Sequence, residues 1–305
     1  MSLKDRIRAI KRGEDSSDLS RIVRSYLVSR PQDFREDGWH ISDICMMCAR
    51  ARALKMFGVP GSIGNDTVTE KLYDLGKGIH FIYQNWYFGG AKVLWGKWEC
   101  LRCNKTIWGL KPASFIEGVG CYHDGKGHRW SYQEIPVRVT ADERLKGYEW
   151  AQPGLVEGLF KDVVGSSDAL VWVDSKKHWV CADIKTCRDE IFKFQYMKGA
   201  FEAHRRQANL YAYLIKRGYV DGCPREDIPS PEEVSVFYVN RNTSDEIEHS
   251  FSIDKGLVQA SFDELTKFDR YTVTGELPER CALCDTKEAK RAKKCAQRVA
   301  CFSRE

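Results

Sequence analysis

An α/β fold, with a mixed central sheet flanked by helices, is what the sequence predicts, and three observations predict it. Ala169-Leu170-Val171-Trp172-Val173 and His178-Trp179-Val180-Cys181-Ala182-Asp183-Ile184 are β-rich runs separated by Asp174-Ser175-Lys176-Lys177, the pattern of a β-hairpin. A helical stretch follows at about 200–217, with Ala208, Tyr211, Leu214 and Ile215 at helical spacing. A further strand at 234–239 and a helix at 257–268 continue an order in which helices cover the faces of a sheet.

The remaining elements fall before the hairpin. Residues 1–30 read as a charged amphipathic helix, with Ile7, Ile10, Ile22 and Leu27 among its apolar positions. A second helical segment, 42–56, carries Cys45 and Cys48 and stops at Gly58-Val59-Pro60-Gly61. A third runs from about Val68 to Trp86 and carries Gly78 and His80. Residues 92–138, with four tryptophans, several glycines and Cys100, Cys103 and Cys121, read as short strands around knuckles. The expected organisation is an N-terminal helical segment over 1–40, a main domain formed by 41–91 and 139–305, and an insert over 92–138. Strands are expected from about 147 up to the hairpin.

Composition narrows the function classes. With 43% hydrophobic and 30% charged residues, the chain has a globular balance, not a disordered one. No run approaches the roughly 18 apolar residues of a membrane helix, and the first residues lack the apolar core of a secretory signal. No membrane partner and a cytoplasmic location are therefore expected. A net charge of +5 says little about nucleic acid by itself. The basic runs at 287–298 and Arg205-Arg206 suit a solvated helix face as well as a phosphate contact. Of twelve cysteines, eight fall into close pairs, Cys45/Cys48, Cys100/Cys103, Cys281/Cys284 and Cys295/Cys301. In a reducing compartment this favours metal or cluster ligation over disulfides. Cys181, Cys187 and Cys223 stand apart and read as ordinary small residues.

The densest chemical signal is Gly165-Ser166-Ser167-Asp168, then Asp183-Ile184-Lys185-Thr186, then Gln207 with Tyr211. A hairpin would bring Asp168 and Asp183 together on one divalent cation, the requirement for hydrolysing a phosphodiester at neutral pH. Lys185 lies two residues after Asp183, so strand alternation sends both side chains to one face. There an ammonium can orient water or stabilise a transition state. The Ile184 carbonyl offers a further ligand. An isolated Asp-x-Lys is usually a surface charge pair; the ordered set is what carries weight.

That ordered set, with Gly76-Lys77-Gly78-Ile79-His80 upstream, resembles the RecB-like PD-(D/E)xK nucleases. The resemblance covers about 40–302, apart from the insert, and implies a restriction-endonuclease-like core. It implies His80, Asp168 and Asp183 as ligands of Mg²⁺ or Mn²⁺, Lys185 as the catalytic lysine, and Gln207 and Tyr211 as supports of the site and the DNA. The imidazole tilts the choice toward Mn²⁺. Asp183 stands where many superfamily members have Glu, though Asp is usual in this branch.

The most similar branch is the iron–sulfur group, with AddB, CRISPR-associated and phage exonuclease members. It implies a [4Fe–4S] cluster tying the chain ends together. Cys48-Ala49-Arg50 is similar to that group's Cys-Pro-Arg, and Cys295 and Cys301 keep its spacing. Ala292 replaces one expected cysteine, so Cys281 or Cys284 must serve. The implied ligands are Cys48, Cys281, Cys295 and Cys301, with Cys45 and Cys284 as alternates and a zinc site as the competing reading. Separately, Cys100 and Cys103 with Cys121 and His128 (or His123) resemble a zinc ribbon. The expected function is a DNA nuclease of recombination, replication or repair, acting on single strands or free ends as an exonuclease; a phage origin and a replication or recombination protein partner are also expected. The alternatives are a catalytically silent DNA-binding or assembly subunit of the same fold, and a zinc-ribbon interaction protein.

Overall fold

The computed structural model describes residues 22–23, 25–27, 38–46, 48–59, 61, 67–116, 121, 127–146, 160–280, 284, 286–293, 295 and 297–303. Most of the expected N-terminal helix, the strand expected from 147 to 159, Cys281 and His123 lie outside these residues. Two compact units divide the chain, one of Met1–Glu36 with Gly64–Leu75, the other of Asp37–Ile63 with Gly76–Glu305. In the first, 22–23 and 25–27 are helical, as is the stretch from Thr67 to its end. All that follows concerns the second.

Its chain order opens with strand β1 (Trp39–His40) and helices α1 (Ile41–Met46) and α2 (Ala49–Met56). The sequence reads 42–56 as one helix, but Cys48 breaks it. Its backbone is extended, and its thiol caps α2 by accepting from the Ala51 amide at 3.4 Å. Helix α3 (Thr67–Ile82), which enters this unit at Gly76, passes directly into a π-helix, Tyr83–Phe88, which ends at Gly89.

Two sheets follow. The larger has the order β10-β9-β8-β7-β2-β3, from Glu246–Ser252, Pro231–Asn240, His178–Cys187, Ala169–Val173, Leu94–Cys100 and Thr106–Leu110. Strand β4 (Trp130–Gln133) pairs with the second half of β2. The smaller has the order β1-β6-β5, where β6 is Val163–Ser167 and β5 is Ile135–Val139, and helix α4 (Ala141–Leu145) follows β5. The expected hairpin is present: β7 and β8 run antiparallel, with Ala169 opposite Ala182 and Val173 opposite His178. Within the larger sheet β8 and β9 pair in parallel, which demands a long crossover, and helices α5 (Asp189–Lys198) and α6 (Glu202–Lys216) provide it. The mixed sheet flanked by helices is thus as expected.

Segment 92–138 does not stand apart from that sheet. Its strand β2 joins β7 through Leu94 opposite Val171 and Trp95 opposite Leu170, and β5 joins β6. Trp95, Trp98, Tyr132, Ile135 and Val137 share one buried core with Leu170, Cys181, Leu210, Tyr211 and Leu214. The tryptophans are therefore chiefly core. Strand β10 escaped the sequence reading because Glu246-Ile247-Glu248-His249-Ser250-Phe251-Ser252 is mostly polar. It is an edge strand, and charge on an edge discourages pairing with other chains. Beyond it, α7 (Lys255–Thr274) starts at Asp254, whose carboxylate accepts from the Gly256 and Leu257 amides, and ends at Gly275 in the left-handed conformation.

Arg52 fastens α2 to α7. It is 1% exposed, donates to the Ile44 carbonyl, lies 3.5 Å from Glu264 and sits 4.2 Å above the Phe268 ring. Short helices α8 (Lys290–Lys293) and α9 (Arg298–Ser303) close the chain, and α9 packs on α2. Among the described residues no helix is long and apolar enough to cross a membrane.

Gly165 in β6 shows how tightly the sheets meet α6. A Cβ there would lie 2.9 Å from the Tyr211 ring and 3.2 Å from Ile41. Gly165→Ala should therefore cost about 1–3 kcal/mol, the usual range for overpacking a filled core, in urea unfolding monitored by tryptophan fluorescence. A stability equal to wild type would show that Tyr211 can move freely.

Candidate functional site

Asp168 occupies the single residue between β6 and β7, where the chain leaves the small sheet for the large one. Both flanking ladders are antiparallel. On one side Ser167 opposes Ile135, so Glu134 comes next opposite Asp168; on the other Ala169 opposes Ala182, so Asp183 does. Three carboxylates thus converge through backbone register alone. The Asp168 carboxylate also finishes the hairpin ladder: its Oδ2 accepts from the Ile184 amide at 2.7 Å. A strand residue turns its N–H and C=O to the same edge, so the Ile184 carbonyl faces Asp168 as well.

His80 arrives from α3. Its Nδ1 stands 3.5 Å from Asp168 Oδ1. Gly76, one turn earlier, explains the Gly-x-x-x-His spacing, because a Cβ there would lie 3.2 Å from Thr186 Oγ1 on β8. The π-helix then ties this arm down. Its widened turn brings Gln84 and Asn85 into the core: Gln84 Nε2 donates to the Asp168 carbonyl at 2.9 Å, and Asn85 Oδ1 accepts from the Tyr132 amide at 2.7 Å. Such turns often accompany functional sites. One ligand atom each from His80, Glu134 and Asp168 lie within 4.8 Å of one another. Glu134 was missed in the sequence, where it is one acid before Ile135-Pro136 with no motif around it.

Asp183 lies outside that tight group and is paired with Lys185. Lys185 Nζ is 2.9 Å from each Asp183 oxygen, hydrogen-bonds Oδ1, and donates to Gln207 Oε1 at 3.1 Å. Asp183 Oδ2 has no directed hydrogen bond among the described residues, though the residue is 2% exposed. Gln207 also hydrogen-bonds Tyr211, completing the Gln-x-x-x-Tyr face of α6. His204, one turn before Gln207, bonds the Tyr238 hydroxyl at 2.8 Å. Burial and the Lys185 charge hold it down to about 4, so it is neutral at physiological pH.

Burial and charge divide the two aspartates. Burial opposes charge on both. At Asp168 the His80 hydrogen bond, the His80 and Lys185 charges and the Ile184 amide prevail, and its carboxyl is held below the usual range. Asp183 is pushed up to about 6, mainly by burial, with Lys185 acting in the opposite sense. Lys185 is itself raised, because the Asp183 and Asp168 charges outweigh its burial.

The second cluster is Cys100, Cys103, Cys121 and His128, whose ligand atoms also lie within 4.8 Å of one another and could hold a metal ion. Cys100 ends β2 and Cys103 sits in the turn to β3, where Asn104 takes a positive φ of 56°. Cys100 Sγ is 4.0 Å from Cys121 Sγ, and Cys103 Sγ is 3.6 Å from His128 Nδ1. The irregular second half is held by backbone: the His128 amide donates to Ser114 O, and the His128 ring stacks on Trp130 at 4.6 Å. Burial would raise the Cys100 thiol, but amides of Arg102 and Cys103, with His128, bring it down to about 6. A thiolate at neutral pH is the form that binds metal.

The remaining cysteines divide. Cys48 caps α2, and buried Cys301 lies in α9 packed on that helix. Gln297 Nε2 donates to Val59 O at 3.1 Å and Arg50 to Pro278 O at 3.0 Å, so the α2 segment and the segment that carries α9 are joined here. Cys284 is buried and Cys295 half-buried. Cys45 is elsewhere: burial pushes its thiol up to about 12, and its charged neighbours are Arg206, Arg52 and Asp183.

Two outcomes follow from these geometries. The protein should carry one tightly held ion at the Cys100–His128 cluster, lost together with several degrees of melting temperature in Cys103→Ser; elemental analysis and thermal melts read both. Asp183 holds its proton to a higher pH in the folded protein than in the unfolded chain, so its contribution to stability falls as pH rises from about 4 to about 6. With chelator present, the stability difference in favour of Asp183→Asn should therefore open across that window and stay level above it. A difference independent of pH would contradict burial as the cause.

No family model matches the chain, and no curated protein does. Among solved structures, the crystal structure of SSO0001 aligns over 93% of this chain and 94% of its own, at 12% identity and a TM-score of 0.40.

Proposed function

We propose that the protein is a metal-dependent nuclease of the RecB-like PD-(D/E)xK type, hydrolysing DNA phosphodiesters. The observation that carries this reading is Asp168 at the crossing of two ladders, facing Asp183, with His80 on one side and Lys185 on the other. The residues suit a divalent cation: Asp183 Oδ2 is buried without a directed partner, and carboxylate, imidazole and carbonyl donors surround Asp168. His80, Asp168, Asp183 and the Ile184 carbonyl would hold it, and when bound it supplies a Lewis acid and an acidified water.

The chain's own groups do the rest. Lys185, protonated at neutral pH and fixed by Asp183 and Gln207, presents an ammonium to an attacking water or to charge developing on the phosphate. Tyr211 fixes Gln207 from one turn further along α6. Exposed aromatics flank the site on both arms. Phe81 and Trp86 follow His80, edge to face at 6.4 Å, and Phe194 stacks on Phe201 at 5.6 Å ahead of His204 and Gln207. They suit unpaired bases, hence single strands or free ends in recombination, replication or repair. Zinc is the ion that best suits three thiols and an imidazole. A [4Fe–4S] cluster on Cys48, Cys281, Cys295 and Cys301 is supported by the junction of α2 with α9, and Cys284 remains the alternate to Cys281.

Wild-type protein with Mg²⁺ or Mn²⁺ should cleave end-labelled DNA, single strands faster than duplex. Asp183→Ala and Lys185→Ala should each reduce cleavage by about 100-fold or more. Equal cleavage by all three would mean another active site or a contaminant, and no cleavage by wild type that still binds DNA would favour a silent binding subunit.

A further inference from the structure

We infer that Glu134 belongs to the metal centre, adding a carboxylate to the divalent-cation position formed by His80 and Asp168. The ladder argument comes first. Glu134 directly follows β4 and precedes β5, and the β5–β6 register sets it opposite Asp168. Carboxylates facing each other across an antiparallel pair repel and weaken the sheet, unless a positive charge is placed between them. Asp168 cannot turn away, because its Oδ2 is spent on the Ile184 amide and its carbonyl on Gln84.

The distances agree. Donor atoms of His80, Glu134 and Asp168 all lie within 4.8 Å of one another, so an ion with bonds of about 2.0–2.6 Å can touch all three. Asp183, turned toward Lys185 and Gln207, is not in this group. The donor set also selects. One imidazole with two carboxylates favours a first-row transition ion such as Mn²⁺ over Mg²⁺, which prefers oxygen and retained water. Glu134 is exposed, so the position opens to solvent, while buried Asp168 anchors it. Strand β4, which leads directly into Glu134, is itself held to the His80 arm, since Asn85 of the π-helix accepts from the Tyr132 amide. His80 and Glu134 are therefore fixed relative to each other before any ion arrives.

This assignment concerns the site of the nuclease reading but is tested by binding, so either can fail without the other. The probe is Mn²⁺ titrated into the full chain without DNA, followed by electron paramagnetic resonance. The imidazole contribution is identified by the nitrogen coupling that disappears in His80→Ala. Glu134→Gln, an exposed and near-isosteric change, should weaken this Mn²⁺ binding by about tenfold or more. Unchanged affinity in Glu134→Gln would overturn the assignment.

Discussion

One hydrogen bond links the fold to the site: the Ile184 amide to Asp168 Oδ2. Strand β7 begins at Ala169, opposite Ala182 and two residues short of covering Ile184, which leaves a backbone amide of a buried strand without its ladder partner. A buried amide must be satisfied, and the Asp168 carboxylate does this. Asp168 is consequently fixed by the sheet itself. Because the same residue is where the chain crosses from one sheet to the other, Glu134, Asp183 and the Ile184 carbonyl are brought to it by register, without any loop having to close. Sites carried on rigid strands hold their geometry better than sites carried on loops.

This arrangement concentrates negative charge in a place with little water, and the surrounding residues divide the burden unequally. Asp168, with an amide and an imidazole beside it, keeps its charge. Asp183, deeper and dependent on a single lysine, holds its proton to about 6. Lys185 is in turn kept protonated by the same two carboxylates, although burial works against it. Each member is thus in its state because of the others, and removing one leaves an uncompensated charge in the interior, which is strongly unfavourable. Arg52 in α2 is a structural counterpart, since its buried guanidinium is matched by Glu264, the Ile44 carbonyl and the Phe268 ring.

Much of this was legible in the sequence because it depends on local spacing. The turn residues at 174–177 marked the hairpin, and strand alternation alone placed Asp183 and Lys185 on one face. The knuckle at Cys100–Cys103 followed from its two-residue gap. What escaped depends on pairing between segments far apart in the chain. Glu134 acquires its position from a register between β5 and β6 that no local pattern announces. The π-helix escaped for a related reason: Tyr83–Phe88 reads as ordinary helix until Gln84 and Asn85 are seen to need the interior. At Cys48 the helix reading ran on because Ile41 to Met56 is favourable helix sequence throughout, and only tertiary packing of α9 on α2 shows why a break there is useful.

The cysteine cluster bears on the acidic site through shared strands, even though their metals would be chemically unrelated. Strand β2 ends at Cys100 and begins at Leu94 and Trp95, which pair with Val171 and Leu170, three and two residues from Asp168. Its neighbour β4 begins at Trp130, two residues after His128, and ends one residue before Glu134. An ion drawing Cys100, Cys103, Cys121 and His128 together would therefore clamp β2 and β4 at one end, while their other ends border the two carboxylates that face each other. With Trp98, Trp130 and Tyr132 filling the core between, the clamp is part of the main sheet. That explains why a segment whose composition resembles a separate ribbon is built into the wall of the site.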